Sequence, residues 1–176
     1  SLQSRMLAVA DSRAASGTDS DDWAAEACYD SARKEPEGRR EVIEARQRAV
    51  QRRLIERRLD EAEVRMAQGK WADARQWLRA AIHLSEPTAT PIEPGRFNLY
   101  PWNQPDLHEK ARARDAEARA KLAEPLLPVA EALAEVGTEN ELRRGEALIE
   151  QVGELAATPE QQRRAARLVA AVHALP

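Results

Sequence analysis

The chain contains a single cysteine, Cys28, and few of the residues that build β-sheets. One cysteine excludes an internal disulfide and any metal site with several cysteine ligands. Phe occurs once, and Val and Ile are sparse, whereas Ala is abundant. Because strands favour β-branched and aromatic residues while helices favour Ala, Leu, Glu, Arg and Gln, this composition predicts an all-α fold.

The sequence also lacks a long apolar segment. No apolar run approaches the roughly 18 residues of a membrane span, and no secretory signal is visible. These features slightly favour a cytoplasmic protein without a membrane span. Since the first residue is Ser1 rather than Met, an exported or excised form that has lost an N-terminal segment is the alternative. Arg outnumbers Lys by 23 to four, which is typical of a GC-rich genome and favours a bacterial source.

Proline, glycine and capping residues divide the chain into amphipathic segments with short connections. Thr138 and Thr158 each begin a capping-box pattern, and Pro159 lies at the favoured first helical position. Connections of two to four residues place successive helices antiparallel. The helices are expected at about residues 2–15, 21–34, 39–68, 71–84, 106–123, 125–136, 139–155 and 159–174.

These segments predict an array or bundle of antiparallel helical hairpins with six to eight helices. A single domain over residues 1–176 is expected, and a division into 1–84 and 105–176, joined by the loop 85–104, is the alternative. In the last two helices, the inward positions are expected to be Leu142, Ile149 and Val152, then Ala165, Leu168, Val169 and Val172.

Two apolar stripes run along the longest predicted helix, at about residues 39–68. The first stripe is Ile43, Val50 and Leu54, and the second is Ile55, Leu59, Ala62 and Met66. The stripes lie side by side, so the buried face is expected to rotate along the helix.

The preceding helix shows a weaker pattern. Its predicted cap is Asp19 or Ser20. One stripe is Trp23, Ala27 and Asp30 or Ser31, and the next is Ala24, Cys28 and Ala32.

Residues 55–87 carry a spaced set of small, apolar and breaking residues. Gly69 is followed by Trp71, Ala74, Leu78 and Ala81, and Pro87 ends the segment. This spacing resembles the second half of a tetratricopeptide repeat, a helix–turn–helix unit of about 34 residues. Glu61 and Arg65 depart from the family pattern, which has a large apolar residue and an aromatic residue there. The resemblance implies a scaffold whose concave surface binds peptides or protein segments.

No constellation of residues indicates catalysis, a metal or a cofactor. The three histidines are scattered: His83 and His173 lie near helix C-termini, where the helix dipole favours a cation, and His108 has no partner at metal-ligand spacing. Cys28 lies among alanines, as a small core residue would. Carboxylates stand beside arginines at helix-surface spacing, and the glycines form no phosphate-binding loop. The chain is therefore expected not to be an enzyme.

Residues 39–58 form the basic segment of the chain. Eight arginines face three glutamates, which leaves five positive charges on about 30 Å of helix. The candidate contacts for an anionic partner are Arg46, Arg48, Arg52, Arg53 and Arg57. Binding of nucleic acid, or of an acidic protein surface, through this helix is one interpretation. Internal salt bridges or a solvated face are the alternatives.

The proline-rich loop 85–104 holds three of the few aromatic residues. Phe97, Tyr100 and Trp102, with Arg96, form the candidate partner-binding set, because Trp, Tyr and Arg commonly anchor interfaces. The alternative is that these rings fold back over the helices, against Trp71 and Trp77. The sequence thus predicts a non-catalytic adaptor or scaffold in protein–protein interaction, with nucleic-acid binding by helix 39–58 as the alternative function.

Overall fold

The structure, a computed structural model, describes residues 1–36, 38–87 and 102–175. Within these ranges it consists of eight α-helices and has no β-strand, which confirms the predicted all-α fold with packed neighbouring helices. The helices are α1 (Leu2–Ser16), α2 (Asp19–Arg33), α3 (Arg40–Ala67), α4 (Trp71–Ser85), α5 (Pro105–Ala123), α6 (Leu126–Val136), α7 (Glu139–Leu155) and α8 (Pro159–His173). Over the described residues, none of these helices is both long and apolar enough to cross a bilayer.

Threonine side chains cap three of the helices. Thr18, Thr138 and Thr158 each accept a hydrogen bond from a backbone N–H in the first turn of α2, α7 and α8. The capping box at α8 is complete, because the Gln161 side chain accepts from the backbone N–H of Thr158. The predicted cap of α2, Asp19 or Ser20, is wrong: Thr18 caps the helix, and Asp19 lies in the first turn, where its charge complements the helix dipole.

The chain forms two compact units. Unit 1 comprises Ser1–Glu61 and Trp77–Ala111, and unit 2 comprises Ala62–Gln76 and Arg112–Pro176. Helices α3, α4 and α5 therefore contribute residues to both units. The single domain and the alternative boundaries at 84 and 105 stay predictions.

In unit 1, α1 packs against α2. The buried apolar residues of this hairpin are Leu7 and Ala10 on α1 and Ala25, Tyr29 and Ala32 on α2. Gln3 is also buried, and its side-chain amide donates to the Ala32 carbonyl over 3.2 Å. This hydrogen bond satisfies a polar group that would otherwise destabilise the apolar contact.

In unit 2, helices α6, α7 and α8 pack against one another. They share one apolar core, formed by Ala123, Leu127, Ala130, Leu142, Ile149, Val152, Leu155, Ala156, Ala165 and Leu168. The core includes all the predicted inward positions of α7 and two of α8, while Val169 and Val172 are partly buried against it. Gly145 of α7 lies at the contact with α6, where an added Cβ would stand 3.1 Å from Leu133 Cδ1.

The buried faces of α3 and α2 differ in how well the sequence predicted them. Both predicted stripes of α3 are buried, which confirms the rotating apolar face. On α2 the prediction is wrong in part, because Ala27 is exposed. The buried face of α2 instead carries two carboxylates, Asp22 and Glu26, beside Ala25 and Tyr29. These residues follow the helical period, so α2 has a single inward face that mixes polar and apolar groups.

Two glycines in unit 2, one that follows the end of a helix and one inside a helix, provide a matched test of the helix bounds. Gly137 follows α6 with φ 69°, a left-handed conformation that disfavours other residues. Gly153 lies inside α7, where an added Cβ would make an ordinary contact 3.7 Å from Val169 Cγ2. We expect Gly153→Ala to raise the free energy of unfolding by about 0.5–1 kcal/mol and Gly137→Ala to lower it by about 1 kcal/mol. Urea denaturation followed by circular dichroism measures both changes, and the opposite order would contradict the described helix bounds.

Candidate functional site: a charged and aromatic pocket in unit 1

The buried carboxylate of Asp22 joins α2 to the arginine-rich helix α3. The side chain is 0 % exposed, and Arg53 Nη2 lies 2.6 Å from Asp22 Oδ1. Arg57 Nη2 lies 2.7 Å from Asp22 Oδ2. A carboxylate removed from water is stable only when its charge is paired and hydrogen-bonded. Two of the predicted anion-contacting arginines therefore compensate a charge inside their own chain.

A second acidic residue of α2, Asp19, forms an ion pair with Arg58 of α3. Arg58 Nη1 and Nη2 both donate to the Asp19 carboxylate. These hydrogen bonds lower the pKa of Asp19 below its ordinary value. The Arg58 guanidinium also lies over the ring of Trp23, 5.6 Å from its centroid, in cation–π geometry.

Most of the other arginines on residues 39–58 also have carboxylate partners. Arg46 bonds Asp11 of α1, and Arg40 bonds Glu44 within α3. Arg52 contacts Glu56 at 2.9 Å and Asp106 of α5 at 2.7 Å. For Arg39 and Arg48, the described part of the chain provides no carboxylate partner, and both side chains are exposed. The contact of Arg46, Arg48, Arg52, Arg53 and Arg57 with an anionic partner stays a prediction.

A pocket of about 340 Å³ opens beside these ion pairs. We call it the α3 pocket; its lining residues are Asp19, Arg57, Arg58, Asp60, Glu61 and Trp77. Helix α2 contributes one carboxylate, α3 contributes four charged side chains, and α4 contributes the indole. Asp60 and Glu61 are exposed, whereas Trp77 is half-buried. The pocket thus combines an aromatic face with accessible carboxylates.

Trp102 connects the end of the predicted loop to this region. Its ring lies 5.2 Å from that of Trp23, centroid to centroid, and the two planes are tilted by 46°. The side chain of Trp102 is 7 % exposed. Trp23 therefore contacts both Trp102 and Arg58, and Arg58 lines the α3 pocket. The sequence did not indicate Trp23 as a ring partner of Trp102.

Residues 102–104 attach to the C-terminal end of α4 through their backbone. The N–H of Trp102 donates to the Leu84 carbonyl over 2.9 Å, and that of Gln104 donates to the Ser85 carbonyl over 3.1 Å. These bonds satisfy carbonyls that a helix end leaves without intrahelical partners. Of the four predicted partner-binding residues, Arg96, Phe97 and Tyr100 lie outside the described residues. Trp102 is described and buried, and a role for any of the four in partner binding stays a prediction.

The fold brings Ser85 and His108 together, a pair that the sequence did not reveal. Ser85 Oγ lies 3.4 Å from His108 Nδ1, a distance that raises the question of a serine nucleophile. Ser85 Oγ donates to the Ala81 carbonyl over 2.6 Å, while His108 Nδ1 lies 3.1 Å from the Ile82 carbonyl. A carbonyl only accepts, so Nδ1 carries the hydrogen in this arrangement and does not take a proton from Ser85. The contacts of His108 thus link the C-terminal end of α4 to α5.

A buried polar cluster links α2 to the first half of α3. Glu26 is 2 % exposed, and its Oε1 accepts from the side-chain amides of Gln47 at 2.8 Å and Gln51 at 3.0 Å. Its Oε2 has no hydrogen-bond partner among the described residues. Burial raises the pKa of Glu26, and the two amide hydrogen bonds oppose that rise. Gln47 and Gln51 fill the gaps between Ile43, Val50 and Leu54, and this helical spacing is the signal that sequence reasoning missed.

Comparison of the chain with protein-family models, curated proteins and solved structures gives no match. The resemblance of residues 55–87 to a tetratricopeptide repeat therefore stays a prediction. A search of the described residues for three or more His, Cys, Asp or Glu side chains that could hold a metal ion finds no such group.

The raised pKa of Glu26 predicts how stability depends on pH. The folded state binds the carboxyl proton of Glu26 more tightly than the unfolded state, in which the pKa of a glutamate is about 4.3. The stabilising contribution of the protonated group is complete below that value and is lost as pH rises through the folded pKa. Glu26→Gln removes the titration, so the free energy of unfolding of the variant, relative to wild type, is expected to increase with pH across this window.

Denaturation by urea at a series of pH values measures this difference. Glu41→Gln, which changes an exposed glutamate on α3, serves as the control. Parallel pH profiles for wild type and Glu26→Gln would contradict the burial of the Glu26 carboxyl group.

Proposed function

We propose that the protein is a non-catalytic protein-interaction domain, an adaptor or scaffold, and that the α3 pocket is its contact site. The observation that carries the proposal is the position of Trp77 in a concave site lined by five charged side chains. Trp and Arg are among the residue types that contribute most to binding at protein interfaces. The pocket volume of about 340 Å³ is near the lower end of the roughly 300–1,000 Å³ usual for small-molecule sites. A pocket of this volume has room for a side chain of a partner.

The framework around the pocket supports this function. Ion pairs from α3 to Asp19 and Asp22 hold two of the lining arginines in fixed positions. A site whose side chains are already ordered loses less conformational entropy on binding. The resemblance of residues 55–87 to a peptide-binding repeat favours the same class of function. The partner-binding set Arg96, Phe97, Tyr100 and Trp102 belongs to this proposal as a second contact region, because Trp102 contacts Trp23 beside the pocket.

Nucleic-acid binding through α3 is the weaker alternative. Binding to phosphates requires basic groups that can release their counterions. Arg46, Arg52, Arg53, Arg57 and Arg58 already contact carboxylates of the chain. Only Arg39 and Arg48 in this helical region lack such a partner among the described residues. Binding of a labelled oligonucleotide that falls steeply with salt and survives Trp102→Ala would favour this alternative.

Photo-crosslinking tests the proposed interaction site. A photoreactive benzoylphenylalanine replaces Asp60 in the full chain, and the protein is irradiated in extracts of the cells that produce it. We expect a discrete protein adduct, because Asp60 is exposed at the pocket. Trp77→Ala in the same chain is expected to reduce the adduct at least about tenfold, since removal of a tryptophan anchor commonly costs 1.4 kcal/mol or more of binding free energy.

Matched controls separate the pocket from the rest of the chain. The same photoreactive residue at Glu41 places the label on α3 outside the pocket, and Trp71→Ala removes a half-buried tryptophan of α4 that does not line it. A Phe97/Tyr100/Trp102 triple alanine variant tests the loop, with circular dichroism as the check on folding. Equal adducts at positions 60 and 41, or adducts that Trp77→Ala leaves unchanged, would refute the site.

A further inference from the structure

We propose that the α3 pocket takes a cationic side chain, arginine or lysine, from a peptide segment of the partner. This inference rests on the proposed function and adds the chemical class of the group that is bound. It depends on three features of the pocket: which charges are already paired, which remain accessible, and where the indole lies.

The positive charges of the pocket are directed towards other groups of the chain. Arg57 bonds Asp22, which is 0 % exposed. Its Nη1 atom lies buried 3.6 Å from Asp19 Oδ1, within ion-pair distance but without a hydrogen-bond partner among the described residues. Arg58 binds Asp19 through both terminal nitrogens and lies over the ring of Trp23. Arg58 also donates to the Leu54 carbonyl over 3.0 Å. An anionic ligand would therefore have to compete with carboxylates that already hold these guanidinium groups.

The accessible charge of the pocket is negative. Asp60 is exposed and has no ion pair among the described residues. Glu61 is exposed beside it and already takes part in an interaction of its own. Three carboxylates, of Asp19, Asp60 and Glu61, and two guanidinium groups, of Arg57 and Arg58, line the pocket wall. The buried Asp22 behind them adds nothing to this excess, because Arg53 and Arg57 compensate its charge. A partner cation would complement this excess.

The indole of Trp77 strengthens the preference for a cation. A guanidinium or ammonium group is attracted to the face of an indole by the ring quadrupole, and tryptophan is the ring that binds cations best. Trp77 lines the same pocket as Asp60, so a side chain bound there has both an indole and a carboxylate in the pocket wall around it. An uncharged polar group could donate a hydrogen bond to the carboxylate but would gain neither the charge attraction nor the cation–π interaction.

Peptide binding tests this preference directly. The probe is a short fluorescein-labelled peptide in which arginine alternates with glycine, and its fluorescence anisotropy is followed as the full chain is added. The comparison peptides replace each arginine by citrulline, which keeps the shape and removes the charge, or by glutamate. We expect the arginine peptide to bind at least about fivefold more tightly than the citrulline peptide at low ionic strength, with a smaller ratio at high salt.

Asp60→Asn and Trp77→Phe are each expected to weaken arginine-peptide binding about two- to fivefold, and Glu41→Gln is expected to leave it unchanged.

Each other outcome overturns the inference. Equal affinity for the arginine and citrulline peptides, preference for the glutamate peptide, or no binding of any of the three would exclude a cation-selective pocket. Loss of arginine-peptide binding in Glu41→Gln to the same extent as in Asp60→Asn would show an unspecific surface attraction. If photo-crosslinking at Asp60 still gives a partner that depends on Trp77, the proposed function stands without the cationic preference. If that crosslink is absent while the peptide result holds, the proposed function fails and the cation preference remains.

Discussion

The carboxylate of Asp22 has no exposure to water, and much of unit 1 follows from that constraint. A buried charge must be compensated, and here two guanidinium groups of α3 do so at hydrogen-bond distance. The contact joins α2 to the middle of α3, because Arg53 and Arg57 lie one turn apart on that helix. One turn away, Glu26 is buried on the same face and meets Gln47 and Gln51. The contact between α2 and α3 is thus specified by polar groups as well as by apolar ones.

This internal pairing changes the chemical character of the arginine-rich helix. Taken alone, residues 39–58 have the charge of an anion-binding surface. In the folded chain, the acidic residues of α1, α2 and α5 neutralise much of that charge. In the C-terminal half of the helix, Asp60 is exposed without an ion pair among the described residues, and it lines the same pocket as Trp77. A chain with a basic central segment therefore presents an acidic and aromatic pocket.

The sequence predicted the helices well and the polar contacts poorly. The helix bounds differ from the predictions by no more than two residues at every end, since proline, glycine and threonine caps act locally. The apolar stripes of α3 were also readable, because aliphatic residues at helical spacing are almost always buried. On α2, the burial of Asp22 and Glu26 was not predicted, although they share the helical period of Ala25 and Tyr29. Burial of a carboxylate depends on partners such as Arg53, 31 positions away along the chain, and no local pattern shows such a pairing.

Because local sequence patterns do not show long-range contacts, the sequence did not predict the α3 pocket. Asp19, Asp60 and Trp77 come from three helices, and their sequence positions do not suggest a common pocket. Trp102 was predicted as a contact residue from its type alone, and its packing on Trp23 required the fold. Residue spacing in the sequence therefore predicted the helices, whereas the residues that form the α3 pocket could be identified only from the tertiary contacts.

A double-mutant cycle between Asp22 and Arg57 tests the central claim most directly. The free energies of unfolding of wild type, Asp22→Asn, Arg57→Met and the double variant give the coupling between the two side chains. If Asp22 is buried and holds Arg57 inward, the coupling is expected to be about 2 kcal/mol in favour of the pair. A coupling within about 0.5 kcal/mol of zero, the range found for independent sites, would contradict the account.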